Sequence, residues 1–189
     1  MKKNNLSKAI HLKNLCTSNN HFQMLALDQR PPIFNIISQS TKRKPTYDEV
    51  VECKKLICSN LSHLSSAALM DPYYSIPTIL NDNKSKGLII TLEDHDFIET
   101  KKGRYSRNIN NWSVEKIKKI GGDAVKVLVW YRPDAEKKSR DHQKKYIEKI
   151  GNECEKFGIP FLLELLVYPL KDDEYHTTEY KEQKNKKTQ

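Results

Sequence analysis

Two charged side chains stand inside otherwise apolar runs of this 189-residue sequence. Lys126 lies within residues 124–131, and Glu164 lies within residues 160–168. An isolated charge is costly to bury because it loses its hydration. If the two runs are adjacent strands, the side chains can pair, and each then favours the charged form of the other. The pattern predicts a lysine–carboxylate site, with a purely structural ion pair as the alternative.

A lysine amine is a nucleophile only after it has lost its proton. Burial alone would lower the pKa of Lys126 and favour that chemistry, but Glu164 nearby would hold the proton on. We therefore expect Lys126 to act as a cation, and covalent chemistry at Lys126 is the less favoured alternative.

Further polar residues stand where earlier apolar runs end. Asp28 and Gln29 follow residues 22–27, Asp71 follows residues 66–70, and Glu93 follows residues 87–92. In a parallel barrel these strand ends share the face that carries the active site. As alternatives, Asp28 and Asp71 are turn or cap residues, and Glu93 belongs to a solvated charged cluster.

The elements that must position these residues alternate along the chain. Five apolar runs begin near positions 22, 66, 87, 124 and 160, with amphipathic helical segments between several of them. This order predicts an α/β fold with a parallel sheet and right-handed crossovers. Eight units of about 35 residues would make a (β/α)₈ TIM barrel, so we predict an incomplete barrel of about five units. An open doubly wound sheet is the alternative, although no GxGxxG motif follows the first run.

Local signals mark the helices and the domain. Thr46 and Glu49 form a potential capping box, Ser113 is a potential N-cap, and Gly158 can end the helix that starts near Asp134. We predict a partial barrel domain over residues 1–170 and a disordered polar tail over residues 171–189. Three sets of apolar residues have helical spacing. Val50, Cys53, Ile57, Leu61 and Leu64 share one face of the first helix; Val114, Ile117 and Ile120 are predicted to point inward from the second; and Tyr146, Ile147, Ile150, Cys154 and Phe157 form one stripe of the third.

The chain is basic, with 33 Lys and Arg against 24 Asp and Glu and a net charge of +9. Nucleic-acid binding is one interpretation, but the lysines are spread among acids, which favours a solvated surface that steers anionic substrates.

A membrane span of about 20 apolar residues and a signal peptide are not found. Four cysteines without a CxxC pair suggest reduced thiols in the cytoplasm. His95 among carboxylates lacks metal-ligand spacing, so neither a metal nor another cofactor is predicted.

Five stretches carry a resemblance to a known family. They are residues 25–30 (LALDQR), 69–73 (LMDPY), 122–126 (GDAVK), 146–154 (YIEKIGNEC) and 159–164 (IPFLLE). In this order and spacing, the sequence resembles the tagatose-1,6-bisphosphate aldolase family from about residue 22 to residue 170.

The resemblance implies a class I aldolase on a (β/α)₈ barrel, which reversibly cleaves a phosphorylated ketose to dihydroxyacetone phosphate and an aldehyde without a metal. In such enzymes a lysine amine condenses with the ketone, and an acidic residue moves the hydroxyl proton at the cleaved bond. Asp28 and Gln29 resemble the family's substrate-contacting pair. Lys126 resembles its fourth-strand lysine, which forms no Schiff base, and Glu164 resembles its proton-transferring carboxylate.

The family pattern departs from this sequence in its second half. The Schiff-base lysine belongs to the sixth strand and the phosphate loops follow strands seven and eight, whereas five strands are predicted here. We expect a truncated or split member that lacks the covalent step by itself. A partner chain supplying the missing strands, or self-association, would cover the open edge. The alternative function is a non-catalytic module that binds a sugar phosphate or a partner chain.

Overall fold

A computed structural model describes residues 3–81, 85–100 and 102–169 of the chain. The predicted tail, residues 171–189, lies outside the described residues. The helices are α1 (Lys3–Asn14), α2 (Pro31–Thr41), α3 (Tyr47–Leu61), α4 (Ile76–Asn81), α5 (Val114–Lys119) and α6 (Lys137–Phe157), with a 3₁₀ turn at Ser62–Leu64. The strands are β1 (Met24–Leu27), β2 (Ala67–Met70), β3 (Gly87–Thr91), β4 (Ile98–Thr100), β5 (Gly103–Tyr105), β6 (Ala124–Trp130) and β7 (Phe161–Leu166).

The main sheet consists of five parallel strands in the order β1-β2-β3-β6-β7. Each strand pairs with the next one, with Leu27 opposite Met70 at one end and Leu128 opposite Glu164 at the other. Helices connect these strands, and the short antiparallel hairpin β4–β5 interrupts the connection from β3 to β6. This topology confirms the predicted incomplete barrel.

The sheet is curled rather than flat. Two strands separate β1 from β6, so a flat sheet would hold them about 14 Å apart at the usual strand spacing. Nevertheless, the Lys126 amine on β6 lies 2.7 Å from Asp28, the residue that follows β1. A lysine side chain cannot span the flat distance, so the strands must bend towards one another as they do in a barrel wall. The open doubly wound alternative is therefore excluded.

Side-chain alternation gives the sheet two faces with different roles. One face packs against α3, α5 and α6 and forms the main core, which includes Met70, Ile90 and Val127. The opposite face carries a smaller apolar cluster at its amino-terminal end, where Leu15 packs against Leu69, Ile89 and neighbouring residues. Lys126 lies on this second face because it is two residues after Ala124. The concave face is thus apolar at the amino-terminal ends of the strands and polar towards their carboxyl ends.

Several predicted helix features are confirmed. Thr46 and Glu49 form the capping box, Ser113 accepts a hydrogen bond from the Lys116 backbone, and Gly158 ends α6 with a positive φ of 61°. The predicted inward position of Ile120 was wrong, since it is 48% exposed just beyond the end of α5. Leu61 and Leu64, at and beyond the end of α3, are 44% and 59% exposed.

Candidate active site

Lys126 lies at the centre of a cluster of charges. Its amine donates hydrogen bonds to Asp28 Oδ2 at 2.7 Å and to Glu93 Oε1 at 3.2 Å. Glu164 Oε2 lies 3.1 Å from the same nitrogen. The side chains of Lys126, Asp28 and Glu93 are less than a tenth exposed, whereas that of Glu164 is 46% exposed. Three carboxylates therefore share one ammonium group, and one of the three faces solvent.

These four side chains come from four parallel strands or from the residues that directly follow them. Lys126 lies in β6 and Glu164 lies in the adjacent strand β7, while Asp28 and Glu93 follow β1 and β3. The carboxyl ends of parallel strands meet at one face, which explains why residues so distant in the sequence converge. Thr91 Oγ1 donates to Glu93 Oε2 at 2.5 Å and fixes the second oxygen of that carboxylate.

The cluster changes the acid–base properties of its members. Burial by itself lowers the pKa of Lys126, but Glu93 and Asp28 outweigh that effect and raise the pKa above its ordinary value. Lys126 is therefore a cation at neutral pH and a poor nucleophile. Burial also raises the pKa of Glu93, and Lys126 only partly opposes this. Glu93 accordingly takes up a proton more readily than an exposed carboxylate does.

A cavity of about 320 Å³ contacts this cluster. Five of the six predicted site residues line it, namely Asp28, Gln29, Glu93, Lys126 and Glu164. This volume is at the lower end of those of small-molecule sites. The structure thus brings together the residues that follow β1 and β3 with the charged residues of β6 and β7.

Part of the cavity lining is aromatic. Phe97 and Trp130 line the cavity with their ring centroids 5.5 Å apart. The Arg104 guanidinium lies 4.6 Å from the Phe97 centroid and 4.7 Å from that of Trp130. Glu99 holds Arg104 through a 2.7 Å hydrogen bond from Arg104 Nε. The cavity lining therefore combines the charged cluster around Lys126 with the aromatic rings of Phe97 and Trp130, as in sites for small amphipathic ligands.

Asp71, the sixth predicted site residue, does not line this cavity. Its carboxylate is fully buried and accepts hydrogen bonds from the backbone N–H groups of Tyr73 and Tyr74 and from the Ser75 hydroxyl, all between 2.8 and 2.9 Å. Lys54 Nζ donates to it at 2.5 Å. These contacts match the turn-residue alternative.

The buried partner of Asp71, Lys54, was not predicted. The Lys54 side chain is completely buried, and its amine also donates to the Leu27 carbonyl at 2.7 Å, just before Asp28. Burial lowers the pKa of Lys54, and Asp71 opposes this. Lys54 therefore ties α3 and the turn after β2 to the end of β1, where the candidate site begins.

Two further cavity residues were also missed. Arg30, directly after Gln29, is only 3% exposed, and His95 follows Glu93 by two positions. The available signal for Arg30 was its place in the LALDQR stretch, beside two residues that were selected.

Within residues 3–81, 85–100 and 102–169, no group of three or more His, Cys, Asp and Glu side chains is arranged to hold a metal ion. His95 Nδ1 lies 3.4 Å from Asp94 Oδ1, which is a pair rather than a ligand set. In the same part of the chain, no helix has both the length and the apolar character that a bilayer crossing requires.

The fold and the site define a class: a barrel-type α/β protein with a buried lysine among carboxylates at the carboxyl ends of its strands. A family model described as DeoC/LacD family aldolase matches residues 22–188. The chain therefore belongs to the DeoC/LacD family of aldolases.

Relatives in sequence agree with this assignment. Tagatose 1,6-diphosphate aldolase 1 of Streptococcus mutans is 33% identical over 161 residues, which are 85% of this chain and 50% of the relative. The tagatose 1,6-diphosphate aldolase of Streptococcus pneumoniae is 32% identical over 173 residues, covering 92% of this chain and 53% of the relative. The chain thus spans about half the length of the curated relatives it matches.

Solved structures show the same fold at low sequence identity. Fructose-bisphosphate aldolase from Plasmodium falciparum superimposes with a TM-score of 0.61 at 10% identity, over 88% of this chain and 53% of that protein. An archaeal fructose 1,6-bisphosphate aldolase gives a TM-score of 0.56 at 14% identity, over 82% of this chain and 56% of that protein. These matches support the barrel assignment and nothing about substrate.

Proposed function

We propose that this chain carries the substrate-binding and proton-transfer part of a ketose-bisphosphate aldolase site. The observation that supports this most directly is the sharing of the Lys126 ammonium by Asp28, Glu93 and Glu164 beside a cavity. The names of the sequence relatives favour tagatose 1,6-bisphosphate as the substrate. The products would be dihydroxyacetone phosphate and an aldehyde.

In this proposal Lys126 and Glu164 have complementary tasks. The protonated amine of Lys126 donates a hydrogen bond to a hydroxyl or carbonyl oxygen of the ligand, since it has donors only. Glu164, the half-exposed carboxylate, removes or returns the proton of the hydroxyl at the cleaved bond. Asp28 and Gln29 bind further hydroxyl groups. The Schiff-base lysine implied by the family belongs to a sixth barrel strand, so the covalent step requires a residue beyond the five parallel strands described.

The proposal can be tested with tagatose 1,6-bisphosphate and the chain as it is. We expect saturable binding that weakens about tenfold or more in Glu164→Gln, because a neutral amide forms a weaker hydrogen bond with a ligand hydroxyl than a carboxylate does. Calorimetry measures the binding, and Glu115→Gln on the surface is the control. Binding that is absent, or equal in the two variants, would contradict the proposal.

Borohydride trapping with dihydroxyacetone phosphate then separates catalysis from binding. We expect no adduct on Lys126 by mass spectrometry, because its raised pKa keeps the amine protonated. Binding without trapping is the result expected of this chain by itself, because the covalent step requires a residue beyond the five parallel strands described. A stoichiometric adduct on Lys126 would show that this lysine performs the covalent step itself.

We also infer that β7 is covered by other strands in the working protein. Leu162, Leu163 and Leu165 in this edge strand are each between 36% and 41% exposed, although they belong to an apolar run. An exposed apolar edge strand invites pairing with another strand. The partner is either a chain carrying further barrel strands or a second copy of this one.

Self-association provides the test of this inference. We expect the isolated chain to sediment as dimers or larger species, and the double substitution Leu163→Lys with Leu165→Lys to shift it towards the monomer, because charges oppose edge pairing. The control is Leu56→Lys on α3, an equally apolar side chain that is 67% exposed. A wild-type chain that sediments as a monodisperse monomer at all concentrations would contradict self-association.

A further inference from the structure

The Arg30 side chain is buried in the cavity wall with most of its hydrogen-bonding capacity unused. Arg30 is 3% exposed and lines the cavity beside Gln29. Nη1 and Nη2 donate to a single acceptor, the Glu93 carbonyl, at long distances of 3.4 and 3.3 Å. Nε is buried and has no partner among the described residues. A guanidinium carries five N–H donors, so three of them have no hydrogen-bond acceptor among the described residues.

The acidic group that pairs with this cation contacts it only loosely. The Glu93 carboxylate is the one that lies closest, with Oε1 3.9 Å from Arg30 Nη2, which is beyond hydrogen-bonding distance. That oxygen is already committed to Lys126 at 3.2 Å. Asp94, also at the cavity, pairs with Arg107 at 3.2 Å. Arg30 is therefore a buried cation whose partner is incomplete, and such groups are costly unless a ligand completes them.

The backbone that follows Arg30 has few N–H donors of its own. Arg30 is the N-cap residue of α2, an eleven-residue helix whose amino end carries partial positive charge. Pro31 and Pro32 occupy the first two helical positions and line the cavity. Because proline has no N–H group, an anion here cannot rely on the backbone amides of that turn. The Arg30 side chain must supply the donors.

We propose that Arg30 is the anchor of an anion subsite that binds the phosphate monoester of a ligand whose other end lies against Lys126. The planar guanidinium matches a phosphate group in two parallel hydrogen bonds. Glu93 Oε1 lies 3.9 Å from Arg30 Nη2 and 3.2 Å from Lys126 Nζ, so the two cations are close enough for one short ligand to reach both. The imidazole of His95 lines the same cavity. This subsite rests on the proposed function, since it assigns one phosphate of the ketose bisphosphate.

The test uses inorganic phosphate and the whole chain. We expect the Arg30 Nε–Hε resonance to shift on titration, and Arg30→Gln to weaken phosphate binding about tenfold or more, since one charge-assisted bidentate contact is lost. Arg30→Lys, which keeps the charge but not the fork, should bind with intermediate affinity. The control is Arg43→Gln, which removes a half-exposed arginine paired with Glu49. Circular dichroism verifies that each variant is folded.

The outcomes separate this inference from the proposed function. An Arg30 resonance that does not move at saturating phosphate, or equal affinities in Arg30→Gln and Arg43→Gln, would overturn the subsite. If the wild-type chain binds ketose bisphosphate but Arg30→Gln binds it equally well, the subsite fails and the proposed function stands. If inorganic phosphate binds at Arg30 while no ketose bisphosphate binds, the subsite stands and the proposed function fails.

Discussion

Replacing Lys126 with methionine should lower the free energy of unfolding by about 3–5 kcal/mol, the usual effect of removing one partner from a buried charge pair. The substitution keeps the apolar stem but leaves Asp28 and Glu93, both less than a tenth exposed, without the ammonium that they share. Urea unfolding at neutral pH measures the change. Lys119→Met is the matched control, because its pair with Glu115 is exposed and is screened by solvent.

The pH dependence of this deficit identifies its cause. Burial already raises the pKa of Glu93 while Lys126 opposes the rise, so loss of the lysine raises it further. A carboxyl group with a raised folded pKa contributes stability at low pH and loses it as pH rises through that pKa. The deficit of Lys126→Met should therefore shrink as pH falls towards about 4. Glu93→Gln in the same background should recover part of the loss at neutral pH. A deficit equal to that of Lys119→Met would contradict this account.

The fold could be predicted largely because its determinants are local. Each buried parallel strand is a short apolar run, and the capping box of Thr46 and Glu49 needs only four consecutive residues. Lys126 and Glu164 could be selected because a charge inside such a run stands out, and strand alternation fixes which face it occupies. Their pairing could be predicted because β6 and β7 are neighbours in the sheet, which is the usual result when one crossover connects two consecutive parallel strands.

The unpredicted parts depend on contacts between distant residues. Helix α1 is held by His11 and Asn14, which both bond to Asp123 at 2.9 Å. The hairpin of β4 and β5 has three-residue strands and is secured by Arg104, stacked 4.8 Å from the Tyr168 ring as well as on the cavity aromatics. Neither the Asp123 bonds nor this stacking leaves a periodic pattern in the sequence.

Helix α2 was missed for a different reason. Pro31 and Pro32 read as a stop after the first strand, yet proline is well tolerated in the first turn of a helix, where its missing N–H is not needed. Pro31 and Pro32 therefore end the extended segment that follows β1, and they also begin α2. Lys54 was also missed. It is adjacent to Lys55 in α3, and Lys55 is a surface residue, so the sequence does not indicate which of the two lysines is buried.

Burial of Lys54 leads to a second large effect, with the opposite pH dependence. Asp71→Asn keeps an oxygen that can cap Tyr73 and Tyr74 but removes the charge that faces Lys54 at 2.5 Å. We expect a loss of about 3 kcal/mol or more at neutral pH, because the ammonium remains buried without a counter-charge. Thermal or urea unfolding measures this loss, and Asp48→Asn at the exposed start of α3 is the control.

This loss should become smaller as pH rises. Burial lowers the pKa of Lys54 and Asp71 opposes the shift, so removing the carboxylate lowers the pKa further. In the unfolded chain the lysine keeps a pKa of about 10.4. Between the two values the unfolded state binds more protons, and stability rises with pH. The deficit of Asp71→Asn should therefore shrink between neutral pH and about 10, and adding Lys54→Met should abolish this slope. A slope that persists in the double variant would show that another group titrates, and a deficit independent of pH would mean that Asp71 stabilises the turn without serving as the counter-ion of Lys54.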